Sequence, residues 1–105
     1  MNEEGHLTVD TSVEDGTARV QLKGELDLNG AEPVTAELDR LAGEGLQRVL
    51  VDASGLTFLD SSGLRALLAG REKLKSTGAS LQVVEASPAV SRVLDMTGTR
   101  TLLEG

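Results

Sequence analysis

The sequence predicts an α/β domain: a mixed sheet opened by an N-terminal hairpin, with helices packed mainly on one face. Three observations point there. Apolar and polar residues alternate over residues 7–13 and 18–22, as in strands with one covered and one wet face. Later apolar residues recur at helical spacing in three segments, with short apolar runs between them. Turn and capping residues stand at almost every junction.

Leu7, Val9, Thr11 and Val13 alternate with polar residues, as do Ala18, Val20 and Leu22, and Asp15-Gly16 between them is a hairpin turn signal. A helix then begins between Asn29 and Pro33. Pro33 is expected in its first turn, where a missing N–H costs nothing. Val34, Leu38 and Leu41 form its apolar stripe, and Gly43 or Gly45 ends it. Arg48 to Asp52 reads as a short buried strand.

A second helix is expected from about Ser62 to Thr77, with Leu64, Leu67, Leu68 and Leu74 inward and Gly78 as its stop. Leu81 to Val84 is a further strand. Ser87-Pro88 opens a third helix as N-cap and first residue, Val90, Val93 and Leu94 face inward, and Gly98 closes it. Thr101 to Leu103 is expected as a last short strand or turn. The order is β-β-α-β-α-β-α, whose second half favours parallel neighbours joined by crossovers. No internal repeat is apparent.

The 105 residues are expected to form a single domain, residues 1–105, with residues 1–5 fraying at the N-terminus. There is no cysteine, which removes disulfides and thiolate metal sites and fits a reducing compartment. Residues 1–6 do not read as a signal peptide and no apolar run is long enough to span a membrane, so neither is expected. A cytoplasmic protein without membrane association is the expectation. The formal net charge of −7, scattered basic residues and a single aromatic, Phe58, argue against nucleic acid as a partner.

Candidate chemistry is sparse. His6 is the sole histidine and lies near the N-terminus, the serines lack a histidine base, and no glycine-rich loop cradles phosphate. No catalytic residue, cofactor site or metal site is predicted. Asp52 and Asp60 near strand ends read as solvated carboxylates or helix caps. A phospho-accepting receiver is disfavoured because the first strands form a hairpin. Glu25 and Asp27 flank Leu26 and are expected on one side of an extended segment, by default as a solvent-facing strand edge.

The most unusual stretch is Phe58-Leu59-Asp60-Ser61-Ser62-Gly63-Leu64, where a loop delivers the chain into the second helix. Either serine can act as its N-cap, worth about 1 kcal/mol. The same geometry accommodates a phosphate, because a helix N-terminus offers unpaired N–H groups and the positive end of its dipole. A phosphoserine would bring about −1.5 to −2 charges there. Arg65, one turn beyond Ser61, is placed to contact it.

Residues 56–64, Leu-Thr-Phe-Leu-Asp-Ser-Ser-Gly-Leu, resemble the phosphorylation-site signature of the STAS-domain anti-sigma factor antagonists. Gly24-Glu25-Leu26-Asp27 resembles the family's segment after the second strand, and Val49-Leu50-Val51-Asp52 its central strand. Ser87-Pro88-Ala89-Val90 through Met96-Thr97-Gly98 resembles its last helix and the turn after it. The likeness spans about residues 7–103.

The resemblance implies a STAS-like sheet and a non-enzymatic partner-switching protein; its oligomeric state is left open, with a monomer favoured. Unphosphorylated, it would bind an anti-sigma factor that is itself a serine kinase of the histidine-kinase-like ATPase fold, freeing a sigma factor. Phosphorylation at Ser61, with Ser62 the second choice, would release the complex, and a PP2C-type phosphatase would reset it. Asp60, Ser61, Ser62 and Gly63 would form the recognition loop, with Asp27 and Arg65 as neighbouring contacts. Arg65 stands where several members carry a small residue. The rival reading is a STAS scaffold or regulatory subunit, in a stress-sensing or lipid-transport complex, that does not use the serine.

Overall fold

In the computed structural model, which describes residues 7–104, the chain forms four strands and four helices. They are β1 (Leu7–Glu14), β2 (Thr17–Leu26), α1 (Leu28–Ala42), β3 (Arg48–Leu59), α2 (Ser61–Ser76), β4 (Ser80–Val84), α3 (Pro88–Thr97) and α4 (Arg100–Glu104). One sheet holds the strands in the order β1-β2-β3-β4. The β1–β2 pair is antiparallel and the other two pairs are parallel. The predicted fold class is therefore observed. His6 and residues 1–5 lie outside the described residues.

The hairpin forms where its turn signal stands. Asp15 and Gly16 both take positive φ, 54° and 80°, the backbone a two-residue primed turn demands. Ala18, Val20 and Leu22 of β2, Val49 and Val51 of β3, and Leu81 and Val83 of β4 are all buried. Their alternating neighbours Arg19, Lys23, Ser80 and Gln82 are exposed. This period-2 pattern turns one sheet face into the core and leaves the other polar.

The two crossover helices, α1 and α2, pack against each other. A Cβ on Gly70 of α2 would lie 2.3 Å from Leu38 Cδ1 of α1, so any side chain at position 70 would force Leu38 to shift. Val34, Leu38 and Leu41 of α1 and Leu64, Leu67 and Leu74 of α2 are buried as their spacing predicts. At α3, Ser87 caps with its Oγ accepting from the Val90 N–H (3.2 Å), and Gly98 ends the helix at φ 71°.

Several expectations need correction. Helix α1 starts at Leu28, so Pro33 lies in its second turn rather than its first. Pro33 is exposed, and the N–H it lacks would have bonded the Asn29 carbonyl close to the helix start. The central strand runs on to Leu59, well beyond Asp52. Its register against β2 shifts between Gln21 and Lys23 and again between Gly24 and Glu25, which breaks the periodicity that would have revealed its length.

Residues 100–104 are helical, not a strand or turn. Tertiary contacts hold this short helix. Arg100 donates from Nε to Asp95 Oδ1 (2.7 Å) and from its terminal nitrogens to Glu104, the Ser91 hydroxyl and the Ser91 carbonyl (3.0 Å for the last). Leu103 is fully buried.

Asp52 is also not a solvated carboxylate. It is only 5% exposed and accepts from Arg19 Nη2 (2.9 Å), the Ser54 N–H (3.0 Å) and the Ser54 hydroxyl (2.8 Å).

Candidate functional site

Two β–α junctions lie side by side at one end of the sheet, and they are built alike. Leu26 and Leu59, the last residues of β2 and β3, face each other in the parallel register. Each is buried, each is followed by an aspartate, and each aspartate caps a helix. The pattern Leu-Asp-x-x-Gly thus recurs at 26–30 and 59–63. No repeat was expected from the sequence, and at the scale of a helix start there is one.

Of the caps the sequence offers for α2, either serine or Asp60, the structure uses Asp60. Asp60 is in extended conformation (φ −111°, ψ −174°), and its Oδ1 accepts from the Gly63 N–H at 3.0 Å. Its carbonyl accepts the first helical bond, from the Leu64 N–H at 2.9 Å. Ser61 is consequently the first helical residue and Ser62 the second. At α1, Asp27 Oδ1 accepts from both the Asn29 N–H (3.0 Å) and the Gly30 N–H (3.1 Å). Asp27 is therefore a cap folded onto its helix, not a free acid on a strand edge.

Ser61 is exposed and Ser62 half-buried. Among the described residues, the Ser61 hydroxyl makes no hydrogen bond, and the Ser61 and Ser62 N–H groups find no protein acceptor. The cap of α1 occupies two amides of its first turn, whereas that of α2 leaves two open next to a free hydroxyl. Arg65 is exposed one turn along, without an ion-pair partner among the described residues.

Glycine 63 gives the junction its tightness. A Cβ there would lie 2.5 Å from the Leu26 carbonyl oxygen and 2.6 Å from Leu26 Cγ. Asp60 is tied to the same carbonyl, which accepts its N–H at 3.3 Å. The start of α2 is thus pressed against the strand that feeds α1, and only glycine lets the backbones approach so closely.

All six residues singled out in the sequence, Asp27, Asp60, Ser61, Ser62, Gly63 and Arg65, lie at these two adjacent junctions. Ser62 and Arg65 line an open groove between α1 and α2, shared with Leu28, Asn29, Ala31, Glu32, Thr35, Ala66 and Ala69. Sequence reasoning missed Leu28, Asn29 and Gly30. The signal that would have found them is the repeated Leu-Asp-x-x-Gly. A second concavity, lined by Arg71, Lys75, Gln82 and Leu102, involves none of these six residues.

Among the described residues no cluster of three or more histidine, cysteine, aspartate or glutamate side chains could hold a metal ion. No helix is long and apolar enough to cross a membrane.

The family model described as "Mlab, STAS domain" matches residues 3–104, and the chain belongs to the STAS-domain family. It is similar to the anti-sigma F factor antagonist of Paenibacillus polymyxa, with 31% identity over 98 residues, 89% of this chain and 80% of the relative. An anti-sigma factor antagonist from Mycobacterium paratuberculosis has a similar crystal structure, with TM-score 0.84, 26% identity and coverage of 98% and 87% of the two chains.

The antagonist SpoIIAA shares the fold in its unphosphorylated form (TM-score 0.80, 21% identity, 91% of this chain and 85% of that one). The Bacillus SpoIIAA in its phosphorylated form does so too (TM-score 0.74, 21% identity, 93% and 89%). The family resemblance read from the sequence is borne out.

Proposed function

We propose that this protein is a cytoplasmic anti-sigma factor antagonist switched by phosphorylation of Ser61, and that it is a binding protein and not an enzyme. Unmodified, it docks its Asp27–Asp60 end on an anti-sigma factor. That partner is a serine kinase of the histidine-kinase-like ATPase fold, and its capture frees a sigma factor. The observation that carries the reading is the exposed, unbonded Ser61 hydroxyl at the first position of α2, beside two open amides.

A phosphate on Ser61 meets the positive end of the helix dipole and the two open N–H groups, with Arg65 one turn away. Modification therefore leaves the fold in place and changes the surface. A docked anti-sigma factor would have to strip water from the dianion's remaining oxygens, and every 1.4 kcal/mol so lost weakens binding about tenfold. The complex then separates, and a PP2C-type phosphatase restores the binding form. The antagonist names of the relatives support the partner class.

The test is a capture experiment from native-host lysate with unmodified protein and Ser61→Asp as baits. Captured proteins are identified by mass spectrometry, and the complex is then incubated with ATP. The expected result is a histidine-kinase-like ATPase on the unmodified bait alone, which then phosphorylates Ser61. Capture of the same non-kinase components by both baits overturns the reading in favour of a scaffold role.

A further inference from the structure

Leu28 is the first residue of α1 and is 71% exposed. Isolated exposed leucines are ordinary on protein surfaces, but the surroundings of this one are specific. The Leu26–Leu59 register and the shared cap pattern make Leu28 the counterpart in α1 of Ser61 in α2. It lines the same groove as Ser62 and Arg65, whose other apolar lining is Ala31, Ala66 and Ala69. Phe58, 46% exposed, stands on the strand that leads to Ser61.

Charge adds a direction. The segments that frame this patch carry Glu25, Asp27, Glu32 and Asp60 against the single guanidinium of Arg65. An apolar knob above a small-residue groove, with an acidic rim, fits a partner that presents an apolar pocket edged by lysine or arginine.

We propose that Leu28 is the specificity anchor of the Ser61 surface, inserting into a basic-rimmed apolar pocket on the kinase that modifies Ser61. The inference rests on the function proposed above and names the part of the surface that selects the partner. Ser61 supplies the chemistry and Leu28 the address.

The experiment measures equilibrium binding of the captured kinase to the unmodified protein, Leu28→Ser, Leu28→Met, Ser61→Asp and, as a control, Val13→Ser. Val13 is equally apolar and 55% exposed, but lies beside the hairpin turn. Leu28→Ser is expected to weaken binding by about 10- to 100-fold, the loss of one buried leucine side chain. Val13→Ser is expected to bind as the unmodified protein does, and Leu28→Met to lose less than Leu28→Ser.

As kinase substrate, Leu28→Ser should show a raised KM with kcat unchanged. Far-UV circular dichroism checks that each variant is folded. If Leu28→Ser binds normally while Ser61→Asp does not, the anchor is overturned and the switch stands. If the unmodified protein neither binds nor is phosphorylated by any kinase, the underlying function is what fails.

Discussion

The Asp27 carboxylate accepts two amide protons of α1, from Asn29 and Gly30, whereas Asp60 at the matching place in α2 accepts one, from Gly63. The two aspartates follow residues paired across adjacent parallel strands, so the difference is one of local bonding and not of position in the fold. It leaves the N-terminus of α2 more open to an anion than that of α1. Three predictions test how these junctions and the core beside them are held.

Because aspartate and not serine caps α2, Asp60→Ala should destabilise the protein by about 1 kcal/mol. Asp27→Ala should cost at least as much, since two bonds are lost. Ser61→Ala and Ser62→Ala should stay within about 0.5 kcal/mol of the parent. Urea unfolding followed by far-UV circular dichroism measures all four. A serine variant as damaging as Asp60→Ala would contradict the cap assignment.

Gly63→Ala should destabilise by about 1–3 kcal/mol, as overpacked sites do. The atom its Cβ would meet first is the Leu26 backbone oxygen at 2.5 Å, and a strand carbonyl cannot rotate away as a side-chain terminus can. If Gly63→Ala unfolds at the parent's urea midpoint, the close approach of α2 to β2 is wrong.

Asp52 makes stability depend on acid pH. Burial pushes its carboxyl pKa up, but the Ser54 N–H, the Ser54 hydroxyl and Arg19 together more than offset this, and the folded value lies below the ordinary one. A depressed folded pKa gives stability that is fully present above the unfolded carboxyl value, about 3.9, and is lost as pH falls through the folded value. Asp52→Asn should therefore be less stable than the parent at pH 7, by about 1–3 kcal/mol. The gap should close as the pH is lowered towards about 2. Unfolding curves across that range measure it, and a gap independent of pH would show that Asp52 is not the titrating group.

Much of this fold was legible in the residues because its turns and ends use strong local chemistry. Asp15-Gly16 and Ser87-Pro88 with Gly98 each specify a backbone geometry that few other residues adopt so readily, and those elements fall where they were read. The failures share a different origin. Asp60, Ser61 and Ser62 are all good caps, and the one used is Asp60, whose N–H is tied to the Leu26 carbonyl across the strands.

Residues 100–104 carry no helix signal of their own. Their helix depends on Arg100 reaching back to Ser91 and Asp95 and on the burial of Leu103. Of the candidate site, the α2 half was visible as a motif. The α1 half emerged once β2 and β3 were seen to lie side by side, since Leu26 and Leu59 are far apart in the chain.

Phe58, half exposed beside the Ser61 junction, is the chain's only Phe, Tyr or Trp residue. The protein is consequently almost dark in the near ultraviolet. A tryptophan introduced by Phe58→Trp would be its sole fluorophore, and any change in emission would come from that junction without background from the rest of the molecule. The composition that deprives the protein of ordinary optical probes leaves the one place worth watching as the natural site for a lamp.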